Sequence, residues 1–142
     1  MAEEPSLFLD ANILFSAAYR EGGASAAIFT LAQDGRCRLF ASQYAVMEAE
    51  KNLQEKRPES LPRFRKLIKG VALVPEAGRG KQREAAAVGL DPGDVPILAA
   101  AAGKTDFLVT GDRRHFGKWM GRKVLGTAVI SLADAVTMLL AQ

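Results

Sequence analysis

Short apolar runs alternate along the chain with longer segments in which apolar residues recur every three or four positions. The runs predict strands, and the longer segments predict helices that pack one face against a sheet. Predicted strands cover residues 7–9, 38–41, 71–74, 107–110 and 129–130. Predicted helices cover residues 24–32, 42 to about 56, 61–69, 81–88, 94–102 and 131–140.

Strands separated by helices predict a mainly parallel sheet, because the connection between two parallel neighbours normally carries a helix. The expected fold class is therefore α/β, a three-layer α/β/α sandwich around a central sheet of about five strands. The 142 residues are 49% hydrophobic and contain no repeat or long linker, which predicts a single domain over residues 1–142.

Acidic residues follow the ends of the predicted strands. Asp10 comes directly after the first strand, and Asp112 follows the fourth. The predicted helix from Asp94 leads about 14 Å away from the carboxyl edge of the sheet, and the next strand leads about 13 Å back. Asp94 and Asp112 are therefore expected at the same edge. Glu48 lies less than two turns into the helix that Ser42 opens as a predicted N-cap. We therefore expect these four carboxylates at one edge of the sheet.

Clustered carboxylates repel one another, so such a site either raises pKa values or holds a cation. Oxygen ligands with room for water suit Mg²⁺ or Mn²⁺, which also bind phosphate oxygens. The sequence thus favours metal-assisted hydrolysis of a phosphodiester.

The remaining composition is compatible with that chemistry. The single histidine, His115, argues against a His-rich zinc site, and the single cysteine, Cys37, rules out an intramolecular disulfide. Outside the four acids, 12 acidic residues stand against 19 basic ones, a formal charge of +7 that favours RNA as a partner. Candidate RNA-binding residues are Arg113, Arg114 and Lys118.

No apolar run is long enough to span a bilayer, and no signal peptide is evident, which predicts a cytoplasmic protein.

Structural explanations compete with the functional one. Asp112 could be a turn residue or the N-cap of a short helix, and Asp94 could complement a helix dipole. Pro96 places the start of that helix near Asp94, so Asp91 could share or replace its role. Glu48 could be a solvated helix residue of the same kind as Glu50.

Four stretches in order resemble the successive acidic motifs of PIN-domain ribonucleases. They are LFLDANILFSA, SQYAVMEAEKNL, DPGDVPILAAA and FLVTGDRRHF, and together they cover most of the chain. The closest likeness is to the small single-domain members, many of which are toxins of toxin-antitoxin pairs.

The resemblance implies a divalent-metal-dependent endoribonuclease with Asp10, Glu48, Asp94 and Asp112 as its acidic residues and Mg²⁺ or Mn²⁺ as its cofactor. It also implies that Asn12 and Thr110 support the aspartates and that Ser42 opens the helix carrying the glutamate. A homodimer and an inhibitory antitoxin protein are the partners that it suggests.

Two other functions remain open. A phosphatase of the haloacid dehalogenase type would need a second aspartate two residues after Asp10, where this chain has Asn12. A catalytically silent module with the same fold would use the cationic surface to hold RNA or a protein and would not bind Mn²⁺.

Overall fold

The computed structural model of the protein describes residues 4–111 and 116–141. Within these ranges, six strands form one sheet: β1 (Ser6–Leu9), β2 (Arg38–Ser42), β3 (Val71–Val74), β4 (Phe107–Thr110), β5 (Lys123–Val124) and β6 (Thr127–Ser131). Seven α-helices with bounds in the described ranges surround it: α1 (Ala11–Tyr19), α2 (Ala24–Gln33), α3 (Gln43–Lys56), α4 (Leu61–Ile68), α5 (Arg79–Ala87), α6 (Val95–Ala101) and α7 (Leu132–Leu140).

The sheet has the strand order β3-β2-β1-β4-β6-β5, and every neighbouring pair is parallel except β5 and β6. In the register of the central pair, Leu9 lies beside Val109. β2 and β3 lie on one side of β1, and the later strands β4, β5 and β6 lie on its other side. The order in which strands are added therefore reverses between β1 and β4. Sheets of this kind form a ligand crevice at the carboxyl ends of the two strands that flank such a reversal.

Helices fall into two groups by their contacts. α1 packs against α2, α3 and α4, and α2 also packs against α7, whereas α5 packs against α6. Right-handed crossovers place these groups on opposite faces of the sheet. The layered α/β fold with a mainly parallel sheet is thus as predicted, and its core includes the fully buried β1 residues Leu7, Phe8 and Leu9.

Two elements were not predicted from the sequence. α1 is missing from the predicted helices because its sequence, ANILFSAAY, is apolar nearly throughout and shows no polar face. Its surroundings explain this composition, since α1 is covered by β4 and by three other helices. The second element, β5, has only two residues and pairs antiparallel with β6 at the edge of the sheet.

The remaining expectations about the chain concern its buried cysteine and membranes. Cys37 is buried, and burial raises the pKa of its thiol to about 11. In the part of the chain that the structure describes, no helix combines the length and apolar character needed to cross a bilayer.

Candidate active site

Asp10 lies at the carboxyl end of β1 and is only 5% exposed. One carboxylate oxygen, Oδ1, accepts a hydrogen bond from the backbone N–H of Ala11 at 2.7 Å. The other, Oδ2, accepts from the Thr110 hydroxyl at 2.8 Å and from the Asn12 side-chain amide at 3.3 Å. Three donors therefore fix the orientation of this buried carboxylate, and two of them are residues that the family resemblance singled out.

The pKa of Asp10 is raised from 3.8 to about 6. Desolvation by burial is the largest cause, and the negative charges of Asp94 and Glu48 raise it further. The hydrogen bonds from Thr110 and Ala11 act in the opposite direction, because they stabilise the charged form. Burial and like charge thus outweigh the hydrogen bonds that the site supplies.

Asp94 is positioned by a short 3-10 turn, Pro92–Asp94, that leads into α6. It lies directly before the first residue of α6, with Pro96 in the first turn as expected for a residue that lacks an N–H. Its Oδ2 atom is buried. Asp91 precedes the turn and is exposed; its carbonyl accepts from the N–H of Asp94 at 2.9 Å. Asp94 lines the same cleft as Asp10, and Asp91 is not among the residues that line it.

Glu48 is positioned by α3. The helix begins after Ser42, whose buried hydroxyl accepts a hydrogen bond from the N–H of Ala45 at 3.0 Å, so the predicted N-cap is confirmed. Ser42 acts on the site through the helix, and its hydroxyl makes no hydrogen bond to the described carboxylates Asp10, Glu48 and Asp94. Glu48 lies in the second turn and faces Asp10, whereas Glu50 is exposed.

These carboxylates share one cleft of about 240 Å³ at the carboxyl edge of the sheet. Its walls come from the start of α1, one face of α3 and the start of α6. The lining residues are Asp10, Ala11, Asn12, Phe15, Glu48, Asn52, Lys56 and Asp94. Sequence reasoning missed Phe15, Asn52 and Lys56. The available signal was the four-residue spacing from Glu48 to Asn52 to Lys56, which places them on one helix face.

Tyr44 is a further residue that sequence reasoning missed, one turn before Glu48 on α3. The pKa of its hydroxyl is raised, first by burial and then by the charge of Glu48 and a hydrogen bond to it. Asp94 and Glu76 raise this pKa further. Glu76 follows β3, and its Oε2 accepts from the N–H of Tyr44 at 3.0 Å. The carboxyl end of β3 thus also contributes a carboxylate to the surroundings of the cleft.

The predicted residues after β4 fall largely outside the described residues, namely Asp112, Arg113, Arg114 and His115. The residue before them, Gly111, donates its N–H to Asn12 Oδ1 at 3.2 Å. Lys118 is exposed, with its ammonium 5.8 Å from the centre of the Trp119 ring, and it is not among the residues that line the cleft.

The described ranges, 4–111 and 116–141, contain no group of three or more His, Cys, Asp or Glu side chains close enough to hold a metal ion. The donors that face the cleft are nevertheless the hard oxygens that Mg²⁺ and Mn²⁺ prefer. A larger cleft of about 720 Å³ lies between α2 and α4, but Glu4 is the one carboxylate among its lining residues. The clustered carboxylates therefore lie in the smaller cleft.

A family model described as "PIN domain" matches residues 6–114, which is more than half of the chain. The chain therefore belongs to the PIN-domain family, and the resemblance found in its motifs is confirmed. No curated protein sequence matches the chain.

Solved structures with the same fold include two VapBC proteins. VapBC2 from Rickettsia felis, solved bound to a DNA fragment from its promoter, is 15% identical with a TM-score of 0.66, over 89% of this chain and 98% of that one. VapBC-1 from nontypeable Haemophilus influenzae is 13% identical with a TM-score of 0.62, over 90% and 98%. PAE2754 from Pyrobaculum aerophilum is 18% identical with a TM-score of 0.67, over 97% and 91%. At these identities the likeness shows the fold alone.

Proposed function

We propose that this PIN-domain protein is a divalent-metal-dependent endoribonuclease. The observation that carries the proposal is the buried Asp10 carboxylate, which shares one cleft with Glu48 and Asp94 and whose pKa their charges raise. Membership of the PIN-domain family supports nuclease chemistry. A cation in the cleft would offset the repulsion between these groups.

Asp10 and Asp94 would hold Mg²⁺ or Mn²⁺ together with Asp112, the predicted ligand that lies outside the described residues, and Glu48 would bind the ion or position a water. When bound, such an ion lowers the pKa of a coordinated water and neutralises charge that develops on a phosphate. The protein's own residues fix the orientation of the ligands. Thr110 and Asn12 both donate to the Oδ2 atom of Asp10, and Ser42 caps the start of the helix that presents Glu48.

The solved structures with the same fold support a proposal for the biological setting. The VapBC proteins support a role as the toxin of a toxin-antitoxin pair, with an antitoxin protein as partner. Such a toxin would act on RNA in the cytoplasm, and we expect a homodimer. Basic residues Arg113, Arg114 and Lys118 remain the predicted contacts to the RNA near the cleft.

Cleavage of a panel of labelled RNAs tests this function directly. The wild-type protein should cut in Mg²⁺ or Mn²⁺ and not in EDTA, and activity should return when Mn²⁺ is added in excess of the chelator. Asp112→Asn should lower the cleavage rate by at least about a hundredfold, because an acidic ligand stabilises the transition state through the metal by several kcal/mol.

Undiminished cutting in EDTA would contradict metal dependence. Absence of cutting together with RNA binding and no Mn²⁺ binding would instead identify the catalytically silent module. A single-stranded DNA of the same sequence serves as the matched substrate control, and we expect it to be cut more slowly than the RNA.

A further inference from the structure

The acidic cleft continues away from the carboxylates between α1 and α3. Both helices begin at the carboxyl edge of the sheet, at Asp10 and Ser42, and they pack side by side. On α3, the cleft is lined by Glu48, Asn52 and Lys56, which follow one another at intervals of four residues. The same face of one helix therefore leads from a carboxylate through an amide to an ammonium group.

The charge at the far end of this face is available to a ligand. Among the described residues, the ion pairs are Arg63 with Glu21 and Lys81 with Glu84, so neither Lys56 nor Arg57 is paired with a carboxylate there. Both cations lie at the carboxyl end of α3, where they also complement the helix dipole. An anion that enters the cleft thus meets positive charge about two turns away from the acidic cluster.

Aromatic rings line the other wall. Phe15 lies in the cleft, and its ring centre is 6.0 Å from that of Tyr19, one turn further along α1. Tyr19 is 40% exposed. The guanidinium of Arg57 lies 4.5 Å from the centre of the Tyr19 ring and donates a hydrogen bond to its hydroxyl at 3.0 Å. These contacts join the two helices at the far end and fix a cation beside an exposed ring.

We propose that this surface, the α1–α3 groove formed by Phe15, Tyr19, Asn52, Lys56 and Arg57, binds the single-stranded RNA that extends from the cleft on one side of the cut phosphate. Rings that stack on bases and cations that contact phosphates are how proteins bind single strands without reading their sequence. From Asp10 to Tyr19 the groove is about 14 Å long at 1.5 Å per residue. At 3.4 Å per stacked nucleotide, this length accommodates about four nucleotides. The proposal rests on the proposed function, because it assigns the path of that enzyme's substrate.

The affinity for a labelled single-stranded RNA in EDTA tests the groove separately from catalysis. The measurement uses Asp10→Asn protein, which keeps the groove and removes cleavage, and it follows the dissociation constant as the salt concentration rises. Adding Lys56→Ala and Arg57→Ala should weaken binding about tenfold at low salt. The slope of log K against log salt should fall in magnitude by about 1.4, since each phosphate contact to a single strand contributes about 0.7.

Lys104→Ala with Lys123→Ala is the matched control. It also removes two exposed positive charges, but at the opposite edge of the sheet, where Lys104 precedes β4 and Lys123 pairs with Ala128. This control should leave the slope unchanged. Equal slopes for the Asp10→Asn parent and both double variants would overturn the proposal. Equal losses of RNA affinity in the two double variants would also overturn it, because binding would then not depend on the groove.

Tyr19 variants test the stacking wall. Tyr19→Leu should weaken RNA binding about five- to tenfold through loss of the ring, whereas Tyr19→Phe keeps the ring and should bind within about twofold of the parent. Equal affinity of Tyr19→Leu and the parent would contradict the stacking role.

Metal-dependent cleavage by the wild type, measured in parallel, separates the groove proposal from the proposed nuclease function. Cleavage without groove-dependent binding rejects the groove alone, and groove-dependent binding without cleavage rejects the nuclease alone.

Discussion

The two ends of the central strand pair, β1 and β4, each carry an aspartate, and the two aspartates have different surroundings. At the amino ends, exposed Asp106 accepts from the N–H of Ser6 at 2.9 Å and from its hydroxyl at 3.0 Å. The same hydroxyl accepts from the N–H of Asp106 at 2.7 Å, so the two residues join the strands reciprocally. At the carboxyl ends, Asp10 accepts from Thr110 but is buried in a cleft with two further carboxylates.

This difference separates a stabilising interaction from one that costs free energy. The Asp106 carboxylate faces donors and water, which makes it an ordinary link between strands. The charged form of Asp10 is disfavoured by burial and by like charges, and this arrangement lowers stability unless something binds. Carboxylates that a fold holds at such a cost are candidates for function, and the predictions below test whether the two ends differ in this way.

The largest expected difference is in catalysis. Asp10→Asn should reduce metal-dependent RNA cleavage by at least about a hundredfold, because it removes a charged ligand while keeping a side chain of the same shape. Asp106→Asn is the matched variant at the other end and should cut at the wild-type rate per folded molecule. Equal losses in the two variants would show that the strand pair matters only as a scaffold.

The next difference is in the pH dependence of stability. Asp10 has a folded-state pKa of about 6 against an ordinary value of 3.8, so the folded protein holds this proton longer than the unfolded chain. The free energy of unfolding in EDTA should therefore fall as pH rises from about 4 to about 6, by up to about 3 kcal/mol, and stay lowered above that.

Urea unfolding of the wild type and Asp10→Asn across this pH range measures the effect. The variant should match the wild type near pH 4 and exceed it by up to about 3 kcal/mol near neutral pH, because it carries no charge to bury. A difference between the two proteins that does not change with pH would contradict the raised pKa.

The next comparison is between Thr110, which ends β4 at the carboxyl edge of the sheet, and Thr127, which begins β6 at the amino edge. Loss of the first hydroxyl should affect catalysis, and loss of the second should affect stability. Thr110→Val removes a buried donor to a carboxylate and should slow cleavage about ten- to a hundredfold, which corresponds to the loss of about 1.5–3 kcal/mol for a hydrogen bond to a charged group. Thr127 accepts from the N–H of Gly103 at 3.1 Å and lies 3.0 Å from the carbonyl of Ala101. Thr127→Val should cost about 1–3 kcal/mol of stability and leave the cleavage rate of folded protein unchanged.

The smallest expected effect concerns the polar residues beside each aspartate. Asn12 donates to Asp10 and accepts from the N–H of Gly111, so Asn12→Ala should slow cleavage a few fold, equivalent to about 1 kcal/mol. Ser6→Ala should lower the free energy of unfolding by a similar amount without changing cleavage. Thermal melts and initial rates measured on both variants distinguish these outcomes.

The sequence predicted the carboxyl end of this pair better than the amino end. Asp10 follows an apolar strand, and Glu48 follows a recognisable N-cap, so local patterns were enough to place both at the cleft. The link between Ser6 and Asp106 joins residues 100 positions apart through a hydroxyl and leaves no periodic signal. It depends on the register of β1 with β4, which the sequence pattern does not specify.

The groove residues show a different limit of sequence reasoning. Lys56 and Asn52 share a helix face with Glu48, and this spacing is visible in the chain. Their relevance depends on α1, whose uniformly apolar sequence concealed it as a helix, and on the contact between Tyr19 and Arg57 that joins the two helices. Packing between elements, rather than any motif, therefore completes the site.

Calorimetric titration of Mn²⁺ into the protein without RNA tests most directly whether the carboxyl end is built to hold a cation. We predict saturable binding to the wild type and to Asp106→Asn, and at least about tenfold weaker binding to Asp10→Asn, since loss of one charged ligand removes more than 1.4 kcal/mol of binding free energy. Equal Mn²⁺ affinity in all three proteins, or no binding to the wild type, would contradict the account.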